Sequence, residues 1–280
     1  MVEKKDRFVD VAALIESKNP KLKKRLPKFV INWLTRIIHQ EEVNEFMFNH
    51  RDKKNVDFCD EVMRYFNIEV NIHGAENVPS KGGAVFASNH PLGGFDAIAI
   101  VSSLRGVRED IKFIVNDLLM SITNLSDLFV GVNKHGSSSL ESRNKINDLF
   151  ASDKAVFIFP AGLVSRQFEG EIQDTEWKKT FVMLARKNNK PIVPVFIRGR
   201  LTNRFYRLSR WRQRLGIKMN FEMLFLSDEL FKQRNSKIDI FFGEPIPPEF
   251  FTNDKTDLEW AAYLRDLVHD MGRKQFGKLT

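Results

Sequence analysis

The chain has 280 residues, of which 42% are apolar and 29% charged, and it contains a single cysteine, Cys59. This composition is typical of a folded globular protein, and one cysteine excludes both an internal disulfide framework and a cysteine-rich metal site. No run approaches ~18 apolar residues and no signal-peptide core is visible, so we expect a cytoplasmic protein that does not cross the membrane. A net charge of +8 predicts attraction to polyanions, such as an anionic membrane face, nucleic acid or an acidic protein.

Apolar periodicity predicts three helices in the N-terminal part of the chain, at residues 7–18, 27–50 and 55–66. A cluster of lysines and arginine in the segment 20–28 makes this part basic. We consider two interpretations of residues 1–66: a helical hairpin that packs on the core, or an amphipathic anchor at a membrane surface.

From residue 67 the pattern changes to short apolar strands that alternate with helices. The predicted strands are 68–74, 83–89, 111–116, 128–133, 155–162, 192–199 and 237–247. The predicted helices are 96–104, 138–151, 176–189 and 257–274. This alternation predicts an α/β fold, a mostly parallel sheet flanked by helices, with an N-terminal helical region and a C-terminal helix. We therefore divide the chain into a helical region, residues 1–66, and an α/β domain, residues 67–280.

A strongly basic segment, residues 198–218, carries seven arginines and one lysine without any acidic residue. Aromatic side chains interleave with these cations, among them Phe205, Tyr206 and Trp211. Such a mixture is typical of helices that lie on membranes, and it also suits single-stranded nucleic acid. Three interpretations remain open: a solvated helix face, contact with a membrane or an acidic protein, and nucleic-acid binding.

Three polar turns directly follow predicted strands, in the segments 88–96, 132–139 and 159–166. Because ligand sites in parallel sheets lie at the carboxyl ends of strands, this placement predicts a shared site. His90 is the best general-base candidate, since imidazole titrates near neutral pH, and Asp96 can hold its second nitrogen across a glycine-rich turn. On spacing alone, the same residues also fit a plain turn followed by an aspartate that caps the next helix.

Four segments occur in the order of the motifs of a known family. NHPLGGFD, the turn VGVNKHGSSS, FPAGLVSR and PIVPVFIRG together resemble the glycerolipid and lysophospholipid acyltransferase family, of the 1-acylglycerol-3-phosphate acyltransferase type and its bacterial haemolysin-like branch. The resemblance covers roughly residues 67–250. It implies transfer of an acyl group from an acyl thioester, on coenzyme A or acyl carrier protein, to a hydroxyl of a lipid-like acceptor, without a further cofactor. By analogy His90 is the general base and Asp96 its orienting partner.

Three departures from the family pattern bear on the acceptor. The family usually places four residues between its histidine and aspartate, whereas here five residues, 91–95, intervene. The third motif carries Ala161 where the family has a glutamate. The second motif lacks the arginine thought to hold an acceptor phosphate, and has Asn133 and Lys134 instead. These losses argue against the ordinary phosphoglycerol acceptor.

Residues in and near the motifs are the predicted substrate contacts: Asn89, Gly93, Gly94, Asn133, Lys134, Pro160, Gly162, Arg166 and Lys178. Backbone N–H groups near Gly162 and in the turn 91–94 are candidate donors for an oxyanion. We expect Lys134 and Arg166 to bind an acceptor carboxylate, as in a lyso-amino-acid lipid such as a 3-hydroxyacyl-glycine or -ornithine. Lys178 opens a helix, where the dipole disfavours a cation, so we expect it to meet the phosphates of the thioester carrier.

Two other functions remain as alternatives. A 1-acylglycerol-3-phosphate acyltransferase of phospholipid synthesis would share the motifs, and a non-enzymatic basic protein would bind membrane or nucleic acid through charge alone. No metal site is expected, because the six histidines form no HExxH or similar pair, and His73 and His269 lie in patterns that indicate structural roles. We favour an enzyme attached peripherally to the inner face of the membrane, acting on lipids and not on nucleic acid.

Overall fold

A computed structural model describes residues 7–132 and 139–278. The helices in this part of the chain are α1 (Val11–Lys18), α2 (Pro20–Arg25), α3 (Lys28–Ile37), α4 (Gln40–Asn49), α5 (Asn55–Phe66), α6 (Gly94–Ser103), α7 (Ser139–Ala151), α8 (Thr180–Lys187), α9 (Asn203–Arg214), α10 (Leu226–Phe231) and α11 (Asp257–Phe276). The strands are β1 (Glu69–His73), β2 (Ala84–Ser88), β3 (Ile111–Asn116), β4 (Phe129–Val132), β5 (Ala155–Ile158), β6 (Arg166–Phe168), β7 (Glu171–Gln173), β8 (Ile192–Arg198) and β9 (Lys237–Phe242).

The main sheet has seven strands in the order β1-β9-β8-β2-β5-β3-β4. Every neighbouring pair is parallel except β8 and β9, and β6 with β7 forms a separate antiparallel hairpin. The predicted α/β fold with a mostly parallel sheet is therefore confirmed. The hairpin was not predicted, because its two three-residue strands are too short to show a period of two.

Both faces of the sheet are covered by apolar side chains. On one face Phe86 stacks on Phe157 of the neighbouring strand, with ring centroids 4.2 Å apart. The residues of opposite parity, Val85 and Ala87, pack in a cluster with side chains of α7, α8 and α11. Burial on both faces explains why the strands have nearly continuous apolar sequence.

Contacts divide the chain into two units, and the division differs from the boundary expected after residue 66. The helical unit joins the described residues up to Lys53 with Thr202–Arg234, and the α/β unit holds Lys54–Leu201 and the residues from Asn235 onward. Helix α5 belongs to the α/β unit because its apolar side, with Phe58, Val62 and Phe66, is buried there. The basic segment, in contrast, contributes α9 to the helical unit.

Two local predictions were wrong. The single helix expected at 27–50 is broken at His39, whose φ of 54° is left-handed. The imidazole there contacts Glu42 and Asp228 at 3.1 Å each and stacks on Phe231, so tertiary contacts stabilise the break. Asp96 does not cap its helix, because α6 already begins at Gly94 and the Asp96 side chain lies within the first turn.

No helix among the described residues is both long and apolar enough to cross a membrane.

Candidate active site

The site lies where the parallel strands β2 and β5 end. Strand β2 ends at Ser88. The next residue, Asn89, is buried, and the oxygen and nitrogen of its side-chain amide both form hydrogen bonds with the backbone of the neighbouring strand β8. Its Nδ2 donates to the Ile197 carbonyl at 2.9 Å, and its Oδ1 accepts from the Ile197 N–H at 2.7 Å. Asn89 therefore clamps the end of β2 to β8, and it does not line the cavity described below, contrary to the expectation that it contacts substrate.

His90 and Asp96 meet across the turn that follows. The Nδ1 atom of His90 lies 2.8 Å from Oδ2 of Asp96, and the Leu92 N–H donates to the same oxygen at 3.0 Å. Gly93 has a φ of 68°, which favours glycine, so the chain can double back here. The extra residue relative to the family spacing is thus absorbed in the turn, and the two side chains still meet.

A second glycine, Gly199, lets this turn pack closely against the end of β8. Leu92 is buried, and a Cβ built on Gly199, just after β8, would lie only 2.5 Å from the Leu92 side chain. Any larger residue at position 199 would therefore push the turn, and with it His90, away from its place.

The environment of the pair suits proton transfer. The His90 side chain is 19% exposed, whereas the Asp96 side chain is completely buried. Burial raises the pKa of the Asp96 carboxyl, while the hydrogen bond and charge of His90 lower it in part. With Asp96 ionised, Nδ1 of His90 is the donor, so Nε2 is the nitrogen left to accept a proton from substrate.

Phe159, at the end of β5, stacks on the imidazole with ring centroids 4.1 Å apart.

A second buried aspartate, Asp174, holds the backbone of His90. Its Oδ1 accepts from the His90 N–H at 3.2 Å and from the Ser165 hydroxyl at 2.5 Å, and its Oδ2 accepts from the Trp177 indole at 2.8 Å. Ser165 returns to the same loop, its N–H donating to the His90 carbonyl at 2.8 Å. The Asp174 N–H in turn donates to Nε2 of His269 at 3.2 Å.

Sequence reasoning missed Asp174, although one signal was available. Trp177 is fully buried, and a buried indole N–H needs an acceptor. Two carboxylates shortly before it, Asp174 and Glu176, were the nearby candidates to supply one. The link from Asp174 to His90 spans 84 positions, so no local pattern could reveal it.

An apolar cavity of about 440 Å³ opens beside His90, entirely within the α/β unit. Its polar end is formed by residues of the two turns and of the segment before α8: His90, Gly93, Gly94, Pro160, Gly162 and Lys178. Lys178 precedes the helix that it was expected to open, because α8 begins only at Thr180. The remaining lining is almost wholly apolar and includes Ala97, Ile98 and Val101, Phe113, Ile122, Leu125, Leu128, Phe150 and Phe181.

Helix α6 shows how far the cavity extends from the base. Gly94, Ala97, Ile98 and Val101 share the helix face that lines it. At 1.5 Å per residue, the stretch from Gly94 to Val101 is about 10 Å long. A flexible hydrocarbon chain would fit such a space with its reactive end near His90.

Five of the predicted substrate contacts line this cavity: Gly93, Gly94, Pro160, Gly162 and Lys178. Arg166 does not line it, and its buried guanidinium donates to the Val164 and Ser165 carbonyls just before β6. The Gly162 N–H is also engaged, since it donates to the Phe159 carbonyl at 2.9 Å, so it is not a free oxyanion donor. Asn133 and Lys134 lie outside the described residues.

Within residues 7–132 and 139–278, no group of three or more His, Cys, Asp or Glu side chains is arranged to hold a metal ion. The single cysteine, Cys59, is buried and lines the cavity, and burial raises the pKa of its thiol to about 12. Cys59 is therefore a neutral wall residue and not a nucleophile.

Comparison with known proteins places the chain in a family. A family model described as acyltransferase matches residues 13–277, which is nearly the whole chain, and the chain belongs to this acyltransferase family. It is an enzyme of the acyl-transferring class, as the motif resemblance implied.

Two curated relatives and one solved structure refine this picture. A lyso-glycine lipid O-acyltransferase of Bacteroides thetaiotaomicron is 40% identical over 265 residues, covering 94% of this chain and 97% of the relative. A protein of the same name from Phocaeicola vulgatus is 39% identical over 94% of this chain and 95% of its own length. The fold resembles that of the 1-acyl-sn-glycerophosphate (LPA) acyltransferase PlsC from Thermotoga maritima, with a TM-score of 0.52, 17% identity, and coverage of 90% and 99% of the two chains.

Proposed function

We propose that the protein transfers a fatty acyl group from an acyl thioester to the hydroxyl of a lyso-glycine lipid, an N-(3-hydroxyacyl)glycine. The names of two relatives that match almost the whole chain support the acceptor. The observation that carries the chemistry is the His90–Asp96 pair, which lies at the polar end of an apolar cavity.

His90 acts as the general base in this mechanism. Its Nε2 takes the proton of the acceptor hydroxyl while Asp96 holds Nδ1 and stabilises the imidazolium that forms. The hydroxyl oxygen attacks the thioester carbonyl and gives a tetrahedral intermediate. When the intermediate collapses, the carbon–sulfur bond breaks and the imidazolium returns the proton to the departing thiolate. The products are the ester and the free thiol of the carrier, and no acyl-enzyme forms.

The start of α6 supplies the donors for the oxyanion. The first N–H groups of a helix have no acceptor within the helix, and the dipole favours negative charge there. Gly93 and Gly94 lie at this end of α6 and line the cavity. Of the donors that the sequence suggested, near Gly162 and in the turn 91–94, we propose those of the turn, because the Gly162 N–H already donates to Phe159.

The apolar cavity holds the acyl chain of one of the two substrates. Burial of each methylene contributes about 0.8 kcal/mol, so a chain running along Ala97, Ile98 and Val101 would anchor the substrate strongly. We further propose that the donor thioester is carried by coenzyme A or acyl carrier protein, with no other cofactor.

The helical unit binds an anionic membrane surface, in our proposal the inner face of the cell membrane. Three large apolar side chains of this unit are mostly exposed: Trp211 at 68%, Leu215 at 69% and Met219 at 72%. Exposed Arg210 and Arg214 accompany them. Aromatic and aliphatic groups beside cations fit the headgroup region, where the lyso-lipid is found.

The test is acylation by purified protein with acyl carrier protein and coenzyme A thioesters offered separately. N-(3-hydroxyacyl)glycine, its ornithine counterpart and lysophosphatidic acid serve as acceptors. Product with the glycine lipid and little with lysophosphatidic acid is expected. Strong activity on lysophosphatidic acid alone would replace the proposal by a phospholipid-synthesis enzyme.

A further inference from the structure

Lys178 is the cation that lies at the polar end of the cavity, together with His90. Its backbone is fixed to the turn after β5, because the Lys178 N–H donates to the Pro160 carbonyl at 3.2 Å. Its ammonium lies above Gly162, at 3.1 Å from the point where a Cβ would be. Gly162 has a φ of 65°, so a glycine both allows this turn and leaves room for the lysine.

The ammonium of Lys178 has no partner among the described residues. Arg166, another cation among the predicted substrate contacts, is engaged instead, because its guanidinium donates to backbone carbonyls. An unpaired ammonium at the mouth of an apolar cavity is a site for an anion.

We infer that Lys178 binds the carboxylate of the acceptor and so selects an amino-acid lipid. This inference rests on the proposed function. It reassigns Lys178 from the phosphates of the thioester carrier, where the sequence placed it, to the acceptor.

The short distance between the parts of the site that hold His90 and Lys178 supports binding of the acceptor carboxylate by Lys178. Phe159, which stacks on His90, and Gly162, which lies under the Lys178 ammonium, are the two ends of one turn closed by the Gly162 N–H to Phe159 carbonyl bond. The Cα atoms at the two ends of such a turn are less than about 7 Å apart, so the imidazole that stacks on Phe159 and the ammonium over Gly162 both lie against this one short turn. In an N-(3-hydroxyacyl)glycine the hydroxyl and the carboxylate are separated by about 6–7 Å when extended, as ordinary bond lengths give.

The same spacing argues against a carrier phosphate. In coenzyme A and in acyl carrier protein the whole pantetheine arm separates the phosphate from the thioester sulfur. A phosphate held by Lys178 would leave the thioester far from His90. A glycine carboxylate held by Lys178 leaves the hydroxyl within reach of the base.

The experiment compares N-(3-hydroxyacyl)glycine with its glycinamide counterpart, which keeps the hydroxyl and the acyl chain but lacks the negative charge. The native protein should prefer the acid by about tenfold to a hundredfold in kcat/KM, the range of a charge-assisted hydrogen bond. Lys178→Ala should lose that preference through a higher KM for the acid, with the KM for the thioester unchanged. Lys178→Arg should retain most of it.

Lys187→Ala is the matched control, because it removes an exposed lysine from the far end of α8. It should leave the acid-to-amide ratio as it is. A Lys178→Ala enzyme that keeps the ratio, or that shows a higher KM for the thioester instead, overturns the inference. A native protein that acylates acid and amide equally also overturns it, while a native protein that acylates neither refutes the proposed function itself.

Discussion

The two units of the molecule use their apolar residues in opposite ways. The α/β unit buries them around the sheet and encloses a cavity that ends at His90. The helical unit leaves several large ones exposed, among them Phe29 at 72% and Trp211 at 68%. Water favours the first arrangement and disfavours the second, so the exposed apolar residues of the helical unit need a separate explanation, which the proposed lipid surface supplies.

The largest effect should come from the base in the α/β unit. His90→Ala removes the group that accepts the hydroxyl proton in the proposed mechanism, and we expect kcat to fall by about a hundredfold to ten-thousandfold. Steady-state kinetics with a saturating acceptor measure this loss, and circular dichroism checks the fold. A variant that keeps full activity with an intact fold would contradict the mechanism.

Asp174→Asn should have the next largest effect. An amide NH₂ would face the His90 N–H, the Ser165 hydroxyl or the Trp177 indole, all of which are donors, so the loop that carries His90 shifts. A displacement of about 1 Å can cost roughly a hundredfold in rate. We expect kcat to fall by about tenfold to a hundredfold, with both KM values nearly unchanged.

Trp177→Phe keeps an aromatic side chain, although a smaller one, and removes one hydrogen bond to Asp174, so it should lose less than Asp174→Asn does. Equal kcat for native and Asp174→Asn proteins would show that Asp174 only stabilises the fold.

The cavity wall should set the preferred chain length. Ala97→Phe places a ring part of the way along α6, so we expect kcat/KM for a sixteen-carbon acyl chain to fall by about tenfold while a short chain is less affected. Ile98→Ala enlarges the cavity at the same wall, so it should not shift the preference toward shorter acyl chains. A chain-length series with each variant measures this, and equal losses for all chain lengths would exclude the cavity as the acyl site.

The exposed residues of the helical unit should matter for membranes and not for folding. Trp211→Ser should weaken binding to anionic vesicles by about tenfold, since burying a large apolar side chain contributes about 1.5–3 kcal/mol. Vesicle flotation at low and high salt gives the affinity. Leu258→Ser is the control, because Leu258 is an exposed apolar residue, 44% accessible, in the α/β unit. Equal losses of vesicle binding in the two variants would show that the helical unit has no special affinity for membranes.

The smallest effect concerns pH. Burial lowers the pKa of His269, whose Nε2 accepts the Asp174 N–H and must be unprotonated to do so. The stability that neutral His269 contributes is therefore present above about pH 6.5, the value in the unfolded chain, and is lost as the pH falls below it.

Whereas His269 contributes stability as a neutral group, Asp228 of the helical unit contributes it as a charged one. Burial raises its pKa, but hydrogen bonds from Lys232, His39 and Arg204 outweigh this and lower the pKa to about 2. Its contribution is present above about pH 4 and is lost as the pH falls from there toward 2. Protection factors, in which the slower intrinsic exchange at low pH is divided out, should therefore fall first around His269, below pH 6.5, and only at lower pH around Asp228. Simultaneous loss in both places would contradict the assignment.

Much of the fold was predictable because its signals are local. The strands that alternate with helices show their periods in short windows, and α5 at Asn55–Phe66 matches its predicted range. The helix 27–50 failed because the left-handed break at His39 depends on Asp228 and Phe231, far away in sequence. Such long-range contacts can break a helix, and the local apolar period of the sequence does not show them.

By itself, the sequence determined the class of enzyme and the two residues of the candidate catalytic pair. His90 and Asp96 lie six positions apart around a glycine turn, and a short loop keeps them close whatever the rest of the chain does. Only the tertiary structure decided the other parts of the site. Asp174 under the His90 backbone, the cavity along α6, Arg166 turned to its own backbone and Lys178 above Gly162 all depend on segments that meet only when the sheet is assembled.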